Sequence, residues 1–278
     1  LTPPQVYYDR YINRDLPEPV VGDWAPEFEG PERGLDPNAS TMRLNKYDMQ
    51  CARAAYYGMV NFIDDQIGRL YQFARGELSN ALIIFTADHG EMLGDHNLFR
   101  KTWPYEASTR IPFVIRAPKS WGYPEETVCT SPVGLQDIMP TVLDAAGLDI
   151  PETCTGKSLL PVMRGETGKV RDVLHGEHAG CYEYDHGNQY ITDGHHKYVW
   201  YTQTGTEHLY HLDEDPNELH DLALEEDSNR FLEPWRQRLI DFLKDRPEGF
   251  TDGKRLIVGR KHGNLLPGYE PDRMYPFL

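Results

Sequence analysis

The chain has 278 residues, with 44 acidic against 28 basic side chains and a formal net charge of −16, a balance that argues against nucleic acid or an anionic membrane as partner. Hydrophobic residues make up 39% and mean hydropathy is −0.62. No window approaches the roughly 18 apolar residues that a membrane span needs, so one or two globular domains are expected. No charged-then-apolar leader heads the sequence. It begins at Leu1 rather than Met, and the expectation is that the true N-terminus, with any signal peptide, lies upstream and leaves the compartment unassigned. Cys51, Cys129, Cys154 and Cys181 are scattered without a Cys-x-x-Cys pair, which reads as free thiols.

In chain order, residues 1–40 hold Pro3, Pro4, Pro17, Pro19, Pro26, Pro31 and Pro37 and read as an extended surface segment. Ser40 or Thr41 is the expected N-cap of an amphipathic helix, its apolar residues recurring at three and four from Leu44 through Cys51, Met59 and Ile63 to Tyr71. Asp64 and Asp65 fall on its solvated or salt-bridged face. Residues 81–85 form an apolar, partly β-branched run, the pattern of a strand buried on both faces, and it ends in Thr86, Asp88 and His89. Loops at the carboxyl ends of such strands are where α/β sheets bind ligands. A regular strand would send Asp88 and His89 to opposite faces, but Gly90 lets the backbone turn and bring both onto one ion. The plainer alternative is a turn with a capping carboxylate. Gly94, Asp95, His96, Arg100, Lys101, Glu106 and Arg110 follow before a second apolar strand at 111–115. A loop that long and that ionisable is expected to be functional, and Arg100, Lys101 and Arg110 offer an anion a local positive cluster.

Beyond it, residues 127–133 read as extended and 133–147 as a helix closed by Gly147, with Asp137 structural. Gly156-Lys157-Ser158 has the look of a nucleotide loop, yet its first glycine position is Pro151, so that reading fails. Strands are expected at 170–177, 189–192, 197–201 and 207–212, with Asp193-Gly194 and Gly205-Thr206 as turns. Asp213, Asp215 and Asn217 mimic a calcium loop, but Glu218 and Leu224 stand where Gly and Glu belong. The segment reads instead as a helix start capped by Asp215, with Pro216 first and Glu218 closing a capping box. A helix at 230–244 and a tail at 250–278 that wraps the surface complete the chain. His175, His178, His186, His195 and His196 lack a spaced ligand set for a metal.

The order Phe85-Thr86-Ala87-Asp88-His89-Gly90-Glu91-Met92-Leu93-Gly94-Asp95-His96, then Lys101, Tyr105-Glu106 and Arg110-Ile111-Pro112, resembles the sulfatases of the alkaline phosphatase superfamily. That resemblance implies an α/β fold. Residues 1–165 would form part of an alkaline-phosphatase-like mixed sheet flanked by helices, and 166–278 a smaller antiparallel β subdomain with a packed helix. It further implies that Asp88 and His89 ligate a divalent cation, calcium first, with magnesium, manganese and zinc also compatible. Lys101 would bind the sulfate. His96 would serve as proton donor to the leaving group, as a substrate contact, or as a supporting hydrogen bonder. His175, His178 or Tyr182 would contact substrate, since the C-terminal subdomain of that family borders the pocket, and Glu106 with Arg110 would be a buried pair shaping the loop.

Sulfatases generate a formylglycine nucleophile in a Cys-x-Pro-x-Arg setting, and Cys51 lacks both the Pro and the Arg. The nucleophile and the remaining metal ligands are therefore expected upstream of Leu1, with the missing N-terminal half as a partner. The activity implied is metal-dependent hydrolysis of a small-molecule or saccharide sulfate ester, arylsulfatase- or choline-sulfatase-like. Two alternatives stand beside it. The Asp-His form also occurs in phosphonate monoester and phosphodiester hydrolases, and a truncated, inactive fragment would carry the same residues.

Overall fold

Lys46–Glu77 forms the longest helix, α2, preceded by the single turn α1 (Gln5–Tyr8); the computed structural model describes residues 1–25, 40–42 and 44–262. The chain divides into two units, Leu1–Lys101 with Tyr105–Asp172, and Thr102–Pro104 with Val173–Leu278. The Pro-rich start is therefore not wholly extended, and the part of it at 26–39 lies outside the described residues. The N-cap of α2 is neither Ser40 nor Thr41 but Asn45, whose side chain accepts the Asp48 amide at 2.9 Å. Thr41 instead bridges to Leu98. Ala52, Arg53, Ala54, Ala55 and Gly58 are the buried residues of α2. A Cβ on Gly58 would lie 3.1 Å from the Tyr7 backbone, so the missing side chain lets α1 settle on α2, where Tyr7 packs edge-on against Phe62 and its hydroxyl donates to Asp65.

The apolar run after α2 becomes β1 (Ile83–Thr86), paired antiparallel with β2 (Phe113–Arg116), Ile83 opposite Arg116 and Thr86 opposite Phe113. β1 is not buried on both faces. Phe85 is 41% exposed and its cross-strand neighbour Val114 58%, because among the described residues the pair has only one strand on each other and no layer over that face. Between the strands lies the one-turn helix α3 (Glu106–Thr109).

The expected helix at 133–147 begins as a 3-10 turn, Leu135–Asp137, and continues as α4 (Ile138–Ala145). Gly147, at φ 67°, ends it, with the Leu148 amide returning to the Leu143 carbonyl at 2.9 Å. Asp137 is fully buried. It accepts the Gly134 and Lys157 amides at 2.9 and 2.8 Å and is clasped bidentately by Arg171, a structural anchor as read from the sequence. Gly156 serves the same joint: a Cβ there would stand 1.8 Å from the Gln136 carbonyl. The Gly-Lys-Ser stretch is thus a close-packed connection leading into α5 (Leu160–Met163).

In the second unit, β3 (Leu174–His178), β4 (Asn188–Thr192), β5 (His196–Tyr201) and β6 (Glu207–His211) form an antiparallel meander in that order, and α6 (Asn229–Leu243) lies along it. Ile191, Tyr198, Trp200 and Leu209 meet Leu232, Trp235, Leu239 and Leu243 of α6, with Phe250 closing the core. The expected helix start at Asp215 is absent. The Glu218 amide closes a turn onto the Asp215 carbonyl at 3.1 Å, and Glu218 takes φ 54°, a conformation that ends any helix. What holds it there is burial: the Glu218 carboxylate and the Lys197 ammonium, each side chain 1% exposed, sit 3.0 Å apart.

Breaking that pair from one side strands a buried charge, so Lys197→Met is expected to cost about 3–5 kcal/mol, with Lys197→Met/Glu218→Leu recovering much of it; equal losses in urea unfolding of the single and double variants would contradict this. Burial also lowers the pKa of His175, His186, His196 and His262 from the ordinary histidine value. A folded pKa below the unfolded one means protons favour the unfolded chain. The contribution is therefore complete above the unfolded value of about 6.5 and is lost as pH falls through the folded values. The melting temperature of this unit, followed by tryptophan fluorescence, should drop between pH 7.5 and 5; a flat profile would show these rings to be accessible.

Candidate active site

Beyond β1 the backbone turns at Gly90 against α3. The Gly90 amide donates to the Ser108 carbonyl at 2.7 Å and the Glu91 amide to the Ala107 carbonyl at 2.9 Å. A Cβ at Gly90 would lie 2.1 Å from the Ala107 oxygen, so no other residue fits. This turn brings two consecutive side chains together. The Asp88 Oδ2 and His89 Nε2 atoms stand 3.4 Å apart, with the Asp88 side chain 84% exposed and the His89 side chain 36%.

The tautomer of His89 follows from its other nitrogen. Nδ1 lies 2.8 Å from the Gly90 carbonyl, an acceptor only, so Nδ1 carries the hydrogen of the neutral ring and Nε2 presents its lone pair. A carboxylate oxygen and an imidazole lone pair then face the same space, an arrangement that a cation between them relieves and that suits a borderline or hard divalent ion. The donor types fit a metal, but they are two donors. Among the described residues no group of three or more His, Cys, Asp or Glu could hold one.

Residues 91–101 form a closed loop. Leu93, His96, Asn97 and Arg100 have positive φ, as does Gly94. Backbone bonds from Met92 to the Arg100 carbonyl and from Gly94 to the Leu98 carbonyl, at 3.0 and 2.9 Å, zip it shut. Arg53 on α2 reaches in from one side, donating to Asp95 at 2.8 Å and to the carbonyls of Pro17 and Leu93. Burial pushes the Asp95 carboxyl up, against the pull of the Val20 amide and of Arg53.

His96 is 2% exposed. Its Nδ1 accepts the Gly22 amide at 3.1 Å, its own amide donates to the Val20 carbonyl at 2.7 Å, and its ring packs on Trp24 at 4.7 Å, Trp24 in turn lying on Tyr105. That enclosure is the geometry of a supporting hydrogen bonder more than of an exposed acid. Lys101, by contrast, is exposed, and its ammonium makes no ion pair among the described residues, while the Ser108 hydroxyl donates to its carbonyl at 2.7 Å.

The Glu106–Arg110 pair is not buried. Its atoms are 3.9 Å apart, and although the Glu106 side chain is only 17% exposed, that of Arg110, just past the end of α3, is 72% exposed. Cys51 lies within α2, with the Tyr8 and Tyr47 hydroxyls on its thiol, and that contact raises the Tyr8 pKa to about 12.

His175 and His178 belong to the second unit. Gln189 donates to Glu177 at 2.9 Å, so its oxygen faces His175 Nε2 at 2.8 Å and takes that ring's hydrogen. Glu177 continues the chain to Arg246 through two bonds of 2.9 Å. Burial alone would raise the Glu177 carboxyl, but Arg246 and Gln189 outweigh it and hold it below the usual range. His175, stacked on Phe242, is thus fixed within a polar network, whereas His178 bonds through Nδ1 to the adjacent Ala179 carbonyl. Sequence reasoning missed Arg53, Arg171 and Arg246, whose carboxylate partners lie 34 to 69 residues away.

Comparison with known proteins adds independent findings. The family model described as Sulfatase matches residues 20–148, and that described as N-sulphoglucosamine sulphohydrolase, C-terminal, matches residues 94–245. An arylsulfatase of Clostridium perfringens is 40% identical over 262 residues, covering 93% of this chain and 54% of its own length. Phosphonate monoester hydrolase of Agrobacterium radiobacter superposes with a TM-score of 0.63 at 30% identity, over 72% of this chain and 42% of that one. A protein solved in complex with its substrate D-glucosamine-2-N,6-O-disulfate gives a TM-score of 0.60 at 26% identity, over 71% and 41%. The chain spans about half the length of the curated relatives it matches. With the strand-end Asp-His-Gly turn and the long ionisable loop already in place, these matches lead to one conclusion: the chain belongs to the sulfatase family of the alkaline phosphatase superfamily.

Proposed function

We propose that this chain contributes part of the active site of a metal-dependent hydrolase of sulfate esters, with a sulfated saccharide or aryl sulfate as substrate. The observation that carries the reading is the convergence of Asp88 Oδ2 and His89 Nε2 at 3.4 Å, with the imidazole locked by its other nitrogen onto the Gly90 carbonyl. Asp88 and His89 would hold a divalent cation, calcium first and magnesium, manganese or zinc as alternatives, which when bound offsets charge on a sulfate oxygen. The formylglycine nucleophile and the remaining ligands would come from polypeptide outside these 278 residues, since Cys51, on α2, is bonded by the Tyr8 and Tyr47 hydroxyls and lacks the required flanking residues.

Lys101 supplies a point charge with three donors, suited to non-bridging oxygens that gain negative charge in the transition state. His96, neutral with Nδ1 as acceptor, holds the loop beside it by tying residues 20–22 to 95–96. Of the two C-terminal histidines, His178 is the better substrate contact, because His175 is committed to Gln189. A second reading, phosphonate or phosphodiester hydrolysis, draws on the imidazole at position 89 and on the likeness to the phosphonate monoester hydrolase.

On this chain, added Mn²⁺ should broaden the amide signals of residues 87–91, and Asp88→Ala or His89→Ala should abolish the effect; broadening that persists in both variants would refute the site. In the whole enzyme, Lys101→Ala is expected to lower kcat/KM by about 10²–10³-fold, and the ratio of aryl sulfate to phenylphosphonate ester turnover decides between the two readings.

A further inference from the structure

We propose that Glu91 and Ser108 are positioning residues that tie Lys101 to the strand end bearing Asp88 and His89, an inference that rests on the sulfate-contact reading of Lys101. α3 is held between the two ends of the loop. On one side its carbonyls at Ala107 and Ser108 receive the Glu91 and Gly90 amides at 2.9 and 2.7 Å. On the other, the Ser108 hydroxyl donates to the Lys101 carbonyl at 2.7 Å. One residue, 2% exposed, therefore bonds the metal-side turn through its backbone and the lysine through its side chain.

Glu91 makes the complementary link from the strand side. One carboxylate oxygen, Oε1, accepts the Leu93 amide at 3.2 Å and the Arg100 amide, and the Arg100 carbonyl in turn receives the Met92 amide at 3.0 Å. Arg100 has φ 68°, a backbone state that a non-glycine residue keeps only when its surroundings impose it. The Glu91 carboxylate and the Met92 amide both hold it there, immediately before Lys101. The result is a closed ring of bonds running Gly90, Glu91, Arg100, Lys101, Ser108 and back to Gly90. Through it, the Lys101 backbone, from which the ammonium extends, can shift relative to the strand end only if a bond opens. Neither Glu91 nor Ser108 presents its bonded atoms to a substrate; each acts through the backbone of a neighbour.

The two sides of the ring separate experimentally. Glu91→Ala removes the acceptor of the Arg100 amide, Glu91→Gln keeps an acceptor oxygen at the same reach, and Ser108→Ala removes only the hydroxyl. Amide hydrogen exchange and titration with inorganic sulfate, read at the Lys101 side-chain signal by NMR, are made on the full 278-residue chain. We expect Glu91→Ala to speed Arg100 exchange about fivefold, as loss of one bond of ordinary strength does, and Glu91→Gln to restore it. Both alanine variants should raise the half-saturating sulfate concentration at Lys101 about fivefold, with Gly90 and Glu91 exchange unchanged, because their bonds to α3 are backbone to backbone.

Sulfate half-saturation that does not move in either alanine variant, or that Glu91→Gln fails to rescue, overturns the positioning role. Lost protection at Gly90 and Glu91 in both alanine variants would mark general loosening and overturns it equally. If exchange follows the ring but parent Lys101 shows no saturable response to sulfate, the sulfate-contact reading is what fails, and the positioning role falls with it.

Discussion

The backbone at Gly90 approaches α3 so closely that an added Cβ would meet the Ala107 carbonyl at 2.1 Å. Much of the site depends on this contact. With no side chain at residue 90, the backbone leaving β1 can bond to the carbonyls of Ala107 and Ser108, and the pleat that would separate Asp88 from His89 is broken at the required place. The same turn makes the Gly90 carbonyl available to His89 Nδ1, which selects the tautomer whose Nε2 faces Asp88. A steric allowance at one position thus determines a chemical property at its neighbour.

Buried charges fasten the irregular segments that regular hydrogen bonding leaves loose. Arg53 joins residues 17, 93 and 95, Asp137 joins residues 134, 157 and 171, and Lys197 secures the turn at Glu218. In each case a charged group taken out of water is matched by an opposite charge, and in the first two by backbone partners as well, the condition under which such burial is tolerated. An apolar side chain at these places could fill space but could not satisfy the carbonyls and amides of a loop without secondary structure. These segments are therefore specified by polar geometry, and the sheet and α6 by apolar packing.

That division decides what could be read in advance. The meander, α6, and the strand that ends at Thr86 follow from local period and from the residues that interrupt it, so they were legible within a few positions. The Asp-His-Gly turn was legible because its chemistry is compressed into three adjacent residues. The role of Arg53 was not, since on α2 it looks like any solvated helix charge, and its partners are 36 to 42 residues distant. The stretch Asp215–Glu218 shows the opposite failure. Its local signals favour a helix start, but a helix would turn Glu218 away from Lys197, and the buried pair prevails over a preference worth a kilocalorie or so. The exposure of Phe85 and Val114 was hidden for a different reason: an apolar run states what a strand could bury, while what covers it depends on the rest of the fold.

An acidic chain is an unpromising host for an anion, yet net charge is a weak guide at the scale of a site. At physiological salt, exposed charges are screened over about 8 Å, so most of the −16 is not felt at Lys101. What matters is the local account. Asp95, the carboxylate of the loop, is held by Arg53, and Glu91 is turned inward onto the Leu93 and Arg100 amides. Lys101 is left pointing to solvent with no carboxylate paired to it among the described residues, and Arg110, 72% exposed, is only loosely matched by Glu106. Asp88, at the end of β1, has a side chain 84% exposed, and a carboxylate close to an anion repels it unless its charge is met. On the proposed reading, the same side chain that would hold a cation would weaken anion binding while its charge is unmet, so a bound cation would tighten the anion and the two affinities would be coupled by electrostatics.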